Sequence, residues 1–272
     1  MQRSNAPSSI ILKEIAFTKA HSLQNDFVLL AEHDLALLSA KQMVALANRY
    51  TGIGCDQVLG LTKLDTAHYR YSIYNADGTK AQQCINGMRA IAHILFLQQP
   101  QMHTLTLDNP SGTFQATQRL DGEIALQIPV NTTEDTHQTI DYAGSALKVH
   151  YLTCGNPHAL VAVPNLDQYP LSDLAAHIEA TGPSPDGYNV SIYTEKAGDR
   201  WASRTYERGA GETQACGSAA IALAIHSSTK DILTIEQKGG KQRIKVHSPN
   251  KLEIVAPAAL SFTGTINLSD YT

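Results

Sequence analysis

Apolar and polar residues alternate along Tyr69-Arg70-Tyr71-Ser72-Ile73-Tyr74, the period of a half-buried strand. Turn chemistry follows at Asn75-Ala76-Asp77-Gly78, then Cys84, then an apolar-rich helical run, Met88-Arg89-Ala90-Ile91-Ala92-His93-Ile94-Leu95-Phe96-Leu97, stopped by Pro100. Short strands are predicted at 104–107, 113–116 and 124–128, with the turn Asn109-Pro110-Ser111-Gly112 between the first two. The second half repeats this order: a strand over 201–206, the turn Gly209-Ala210-Gly211, Cys216, and the run Ala219-Ala220-Ile221-Ala222-Leu223-Ala224-Ile225. Strands over 232–235 and 244–246, joined through Gly239-Gly240, and over 252–255 complete it. Ala90 and Ala92 stand six and eight residues after Cys84, and Ala222 and Ala224 six and eight after Cys216.

This is a duplicated unit of strand, turn, cysteine, small-residue helix and β-meander. The expected class is α/β: two pseudo-symmetric lobes, each a mainly antiparallel sheet wrapped around a central helix, with the active site in the cleft between them. Residues 1–129 plus 264–272 are assigned to an N-terminal lobe carrying Cys84, and 130–263 to a C-terminal lobe carrying Cys216. Two more helices are expected. Ser39-x-x-Gln42 is a capping box, with Ala40, Met43, Val44 and Ala47 on one face and Gly52 ending the helix. Ser172 with Asp173 opens another, with Leu174 and Ile178 inward and Gly182 at its end.

Composition narrows the function classes. At 272 residues, 43% hydrophobic and 17% charged, the chain can bury a substantial core. A net charge of −4 gives no electrostatic reason to expect nucleic acid or an anionic membrane as partner. No stretch approaches the ~20 apolar residues of a membrane span, and residues 1–9 are polar, without a signal peptide's apolar middle. A cytoplasmic protein is expected. Its four cysteines (55, 84, 154 and 216) do not form a disulfide framework, and without a C-x-x-C no metal site is expected.

Cys84 and Cys216 each stand between polar, glycine-containing sequence and a helix start. A helix N-terminus lowers a thiol's pKa, and two such thiols in equivalent settings suggest a proton-transfer pair. One removes a proton from one face of a substrate carbon and the other delivers a proton to the opposite face, inverting the centre. Backbone N–H groups at the two helix starts would hold a reacting carboxylate. Cys55 and Cys154 read as small buried hydrophobes and receive no role.

These residues resemble the diaminopimelate epimerase family. Tyr206-Glu207-Arg208-Gly209-Ala210-Gly211-Glu212-Thr213-Gln214-Ala215-Cys216-Gly217-Ser218 is similar to its second cysteine motif almost throughout. Asn75-Ala76-Asp77-Gly78 through Cys84-x-Asn86-Gly87-x-Arg89 is similar to the first. Asn25-Asp26-Phe27, Gly52-Ile53-Gly54-Cys55-Asp56-Gln57 and Gly155-Asn156-Pro157-His158 match in the family's order. The resemblance implies cofactor-independent interconversion of LL- and meso-diaminopimelate, in lysine and peptidoglycan-precursor synthesis, by a homodimer. It makes Cys84 and Cys216 the acid/base thiols, assisted by His158 and Glu207. Asn25, Gln57, Asn75, Asn156, Asn189 and Arg208 would hold the substrate, with Arg208 on the distal carboxylate, and Asn86, Gly87, Gly217 and Ser218 would offer donors to the reacting one.

Three departures stand out. Ile85 replaces the glycine usual after the first cysteine; it disfavours a positive φ and could crowd the reacting carboxylate. Ser22-Leu23-Gln24 replaces a Gly-x-Gly, stiffening a loop expected to close the site, and Ala219 replaces another glycine. Two alternatives follow: a racemase or epimerase of this fold acting on another amino acid, and a non-catalytic diaminopimelate binder or thiol redox switch.

Overall fold

In the computed structural model, which describes residues 14–133, 135–184, 187–229, 232–248 and 250–271, the first half of the chain runs through seven strands and three helices. These are β1 (Glu14–Ser22), β2 (Asn25–Ala31), α1 (Glu32–Leu35), α2 (Ala40–Ala47), β3 (Gln57–Asp65), β4 (His68–Asn75), α3 (Ile85–Gln98), β5 (Thr104–Asn109), β6 (Gly112–Gln118) and β7 (Ile124–Pro129). The second half holds β8 (Thr136–Tyr142), β9 (Ser145–Cys154), β10 (Asn156–Ala162), α4 (Leu171–Thr181), β11 (Asn189–Lys196), β12 (Arg200–Glu207), β13 (Gly211–Thr213), α5 (Gly217–Ser227), β14 (Leu233–Gln237), β15 (Gly240–Ser248), β16 (Lys251–Ala256) and β17 (Ala259–Asn267). The polar stretch at residues 1–9 lies outside the described residues.

The duplication is written in the hydrogen bonding. Along β17–β1–β2–β3–β4–β5–β6–β7 neighbours are antiparallel except β2–β3 and β4–β5. Along β8–β9–β10–β11–β12–β14–β15–β16 they are antiparallel except β10–β11 and β12–β14, the same order of senses. Each parallel step requires a crossover. Helices α1 and α2 bridge β2 to β3 as α4 bridges β10 to β11, and α3 bridges β4 to β5 as α5 bridges β12 to β14. The paths join through the antiparallel β7–β16 pair, and the C-terminal β17 returns to pair with β1.

Helices α3 and α5 occupy the centres of the two lobes. Both are buried nearly all round, from Ile85 to Phe96 and from Gly217 to Ala224, apart from the part-exposed His93 and Ser218, as a helix enclosed by sheet must be. One apolar cluster runs through both: Met88, Ile91 and Leu95 of α3 and Ala220, Ile221 and Leu223 of α5 share it with Leu107, Leu126, Ile235 and Ile254. Each large apolar side chain removed from water there contributes about 1.5–3 kcal/mol.

Three local expectations are corrected. The capping box opens α2, Ser39 Oγ accepting from the Gln42 N–H at 3.3 Å, but the helix stops at Ala47 rather than at Gly52. Asn48 ends it because its Oδ1 takes the N–H groups of Tyr50 and Thr51. Val44 is exposed and Leu46 points inward instead. Helix α4 starts at Leu171 with Pro170 as its N-cap; the Ser172 hydroxyl binds Asp173 rather than capping.

Candidate active site

Cys84 is the N-cap residue of α3 and Cys216 that of α5, both in extended backbone geometry. The Cys84 Sγ accepts the Gly87 N–H at 3.4 Å, acting as a cap, and donates to Asn25 Oδ1 at 3.5 Å. Cys216 makes no such cap bond. Its Sγ lies 3.4 Å from the Ser218 hydroxyl, and the Glu207 carboxyl, which accepts the Thr213 hydroxyl at 2.6 Å, is close enough to act on it electrostatically.

The two helix starts meet. A Cβ added at Gly217 would lie 2.7 Å from the Ile85 Cβ, so only glycine admits the Ile85 side chain there. Ile85 itself is the first residue of α3 and has no positive φ. Its bulk is taken up by Gly217 of the opposite lobe. Beside it Asn86 Nδ2 donates to the Ala215 carbonyl at 3.1 Å. Fully buried Arg89 donates to Asn86 Oδ1 at 2.8 Å, to Ser22 Oγ at 2.9 Å and to Gln242 Oε1 at 3.3 Å. Gln242 Nε2 in turn donates to the Cys216 carbonyl at 3.4 Å. A polar chain thus crosses from one helix start to the other.

The β1–β2 turn belongs to the same junction. Leu23 and Gln24 both take left-handed conformations, φ 53° and 65°, which cost about 1–2 kcal/mol each for residues other than glycine. Contacts hold them there. The Ser22 hydroxyl donates to the Pro257 carbonyl at 2.8 Å, and Leu23 is buried with Ala215 and Ala256 against the Gly239-Gly240 turn.

Amides line the first-lobe side. Asp56 accepts Asn25 Nδ2 at 2.8 Å, which turns Asn25 Oδ1 toward Cys84. Arg49 steadies Asp56 at 2.7 Å and grips Asp26 through two bonds at 2.7 and 2.9 Å. Gln57 Nε2 donates to Asn75 Oδ1 at 2.9 Å, and Asn75 Nδ2 donates to the Thr79 hydroxyl at 3.1 Å. On the second-lobe side His158 of β10 is fully buried opposite Asn189 of β11, and Asn189 Oδ1 accepts the Arg208 N–H at 3.0 Å. Asn156 is exposed at the start of β10. Gly87 and Ser218 lie in the first turns of α3 and α5, and all four cysteines are free thiols.

Residues 17–136 and 150–259 match the family model described as diaminopimelate epimerase. The chain belongs to the diaminopimelate epimerase family. As a family member it is an isomerase of the epimerase type. The diaminopimelate epimerase of Erythrobacter litoralis is 32% identical over 271 residues, covering 95% of this chain and 99% of that one. That of Legionella pneumophila (strain Paris) is 34% identical over 280 residues, covering 93% and 99%. Among solved structures, a hydroxyproline epimerase from Agrobacterium vitis superposes with a TM-score of 0.69 at 12% identity, covering 95% of this chain and 92% of that one. A Bacillus anthracis phenazine biosynthesis protein of the PhzF family gives 0.67 at 16%, covering 94% and 99%. At such identities they show a shared two-lobed α/β fold. Among the described residues no helix is long and apolar enough to cross a membrane.

In this family member burial overrides the helix-terminus effect on the thiols. The N–H groups of Gly87 and Asn86 pull the Cys84 pKa down, but burial, seconded by the Glu207 charge, pushes it up to about 12. Cys216 is pushed well above its ordinary value by burial and then by Glu207, against the Ser218 hydroxyl and the Ala219 N–H. The expected lowering is therefore corrected: with the helix starts in contact, both thiols are protonated. Burial also raises the Glu207 carboxyl and lowers His158 to about 3, leaving a neutral imidazole whose ring nitrogens have no partner among the described residues. Arg89 is lowered to about 10 by burial and remains a cation, so it favours charge on Cys84. Arg89, Arg49 and Asp56 have no role assigned from sequence alone. Arg89 carried a signal: a charge inside an apolar helical run, one turn from Asn86.

Proposed function

We propose that this protein interconverts LL- and meso-2,6-diaminopimelate by a cofactor-independent two-base transfer between Cys84 and Cys216. The observation that carries the reading is the pairing of two N-cap thiols, on equivalent helices of two equivalent lobes, whose helix starts touch through Ile85 and Gly217. Substrate enters when the lobes part and separates Ile85 from Gly217, placing the α-carbon between the sulfurs. With the lobes apart, burial is relieved and one thiol releases its proton to solvent. Closed on substrate, that thiolate abstracts the α-proton and the opposite thiol supplies another, so one proton leaves the carbon and one arrives. The α-carboxylate, taking up charge in the transition state, binds N–H groups at the starts of α3 and α5. Water excluded on closure strengthens these bonds.

Arg89 and the Gly87 N–H favour the thiolate at Cys84, while the Glu207 carboxyl beside Cys216 accepts or returns its proton. His158, buried and with neither ring nitrogen partnered among the described residues, is suited to a hydrogen bond with the substrate's polar groups. Asn25, Gln57, Asn75, Asn86, Asn156 and Asn189 orient the amino acid, Gly217 and Ser218 contribute donors, and Arg208 takes the distal carboxylate. A cytoplasmic homodimer in lysine and peptidoglycan-precursor synthesis is part of this reading, as are lobes of residues 1–129 with 264–272 and 130–263.

Purified protein incubated with LL-diaminopimelate in D₂O, without pyridoxal phosphate, should yield α-deuterated substrate and the meso isomer by NMR and chiral chromatography. Absence of both rejects the reading. Ile85 at the reacting end motivates one other substrate reading: exchange with another amino acid from a panel, and none with diaminopimelate, would establish it.

A further inference from the structure

Away from the paired thiols, the described residues bring three ligand-type side chains to one point of the second lobe. Asp135 precedes β8, His150 lies on β9, and His226 lies in the last turn of α5. The Asp135 carboxylate uses both oxygens, Oδ1 2.9 Å from His150 Nδ1 and Oδ2 2.5 Å from His226 Nδ1. All three ligand atoms lie within 4.8 Å of one another. The Tyr193 hydroxyl stands 2.8 Å from His226 Nε2, the ring nitrogen turned away from Asp135. We infer that Asp135, His150 and His226 bind one divalent transition-metal ion of the zinc class, through the two Nδ1 atoms and a carboxylate oxygen.

The donor set decides the class of ion. Two imidazole nitrogens and one carboxylate suit zinc, cobalt or nickel, and are poor for calcium or magnesium, which take oxygen ligands. With metal bonds of about 2.0–2.1 Å, tetrahedral ligands stand about 3.3 Å apart, so the two N···O contacts of 2.9 and 2.5 Å need open by less than about 1 Å within a cluster whose ligand atoms all lie within 4.8 Å. The Asp135 side chain is 31% exposed, against 19% for His150 and 12% for His226, so of the three it has the most room to withdraw. Tyr193 supplies the outer hydrogen bond that a metal-bound histidine requires. Protons balance: as the ion takes the two Nδ1 atoms, each ring proton moves to its own Nε2, and at His226 the Tyr193 hydroxyl there changes from donor to acceptor. The ion would staple the chain before β8, strand β9 and the end of α5, about 15 Å along the helix from Cys216. It is a structural clip outside the chemistry.

The chain contains a built-in reporter. Its single tryptophan, Trp201, stacks on Tyr193 with centroids 4.7 Å apart, and its ring lies 6.1 Å from that of His226. Chelator-treated protein titrated with Ni²⁺ should show saturable quenching of Trp201 fluorescence at one ion per chain. Asp135→Asn and His150→Gln should each weaken it at least about ten-fold, a loss no smaller than removal of an outer partner produces. Co²⁺ bound to the unaltered protein should give ligand-field bands without a thiolate charge-transfer band. Ca²⁺ and Mg²⁺ should do nothing. No saturable quenching, equal quenching in both variants, or a cobalt spectrum dominated by thiolate charge transfer would overturn the assignment, the last by placing the ion on the cysteines.

Discussion

Matched strand by strand, the two lobes present the same frame and different chemistry. Asn25 opens β2 as Asn156 opens β10, but two residues later the first lobe has Phe27 and the second His158. Phe27 pairs with Gln57 across a parallel step, and His158 with Asn189 across the equivalent one. Gln57 then faces Asn75, whereas Asn189, one step beyond the Val190–Tyr206 pair, faces Glu207. At these matched positions the first lobe therefore carries an aromatic ring and neutral amides, and the second an imidazole and a carboxyl. Duplication kept the two N-cap cysteines in place while the groups able to hold a proton gathered on one side. The interlocking is equally one-sided: the β1–β2 turn buries Leu23 in the second lobe, whereas a Cβ added at Gly155 in the β9–β10 turn would meet nothing within 4 Å among the described residues.

The largest effect tests whether the thiols are equivalent at all. Cys84→Ser and Cys216→Ser should each lower α-proton exchange by about 10²–10⁴-fold, followed by NMR in D₂O. A variant that keeps its parent's rate would remove that cysteine from the pair.

Acid stability should separate His158 from Phe27. The unfolded chain binds a proton at His158 near 6.5, while the folded chain resists until about 3. Between these values the unfolded state carries more protons, so stability that is full above 6.5 is lost as pH falls, by up to about 1.4 kcal/mol per pH unit. Urea midpoints measured across this range should lose that slope in His158→Leu and keep it in Phe27→Leu. Equal slopes would deny the difference between the lobes.

The helix starts give a third, smaller contrast. Gly217→Ala places a methyl 2.7 Å from Ile85 and should cost about 1–3 kcal/mol. Gly87→Ala, whose nearest neighbours stand at 3.4 Å, should cost less. Combining Gly217→Ala with Ile85→Ala should recover part of the loss, a coupling of at least about 0.5 kcal/mol in a denaturation cycle. The smallest effect concerns reactivity: iodoacetamide at mildly alkaline pH should label Cys84 several-fold faster than Cys216, mapped by mass spectrometry, because Glu207 holds the Cys216 proton more firmly. The reverse order would invert the assignment of the easier thiolate.

The duplication was legible because the spacing from cysteine to alanine survives in both halves, and the β-meanders announce themselves through alternation. Strand β11 did not: its first five residues are all buried, so it has no polar face to mark a period of two. Strand β17 is exposed over most of its length, and its pairing with β1 is what defines it. The thiols could be found from sequence, but their ionisation could not, because helix starts are local and burial is a property of the assembled lobes. The Asp56 support of Asn25 needs the β2–β3 pairing to bring the residues side by side. Asp135, His150 and His226 lie on three separate segments, with none of the short spacings by which metal sites are recognised.

The return of β17 to β1 has a consequence for the order of synthesis. Register runs from Glu14 opposite Asn267 to His21 opposite Ala259, so a strand near the start of the chain waits for one near its end. A nascent first lobe leaving the ribosome presents β1 as an open edge, with Phe17 uncovered, throughout translation of the second. Closing so long a loop is entropically slow and leaves that edge available to other chains. The first lobe to be translated is therefore among the last parts of the molecule to be completed.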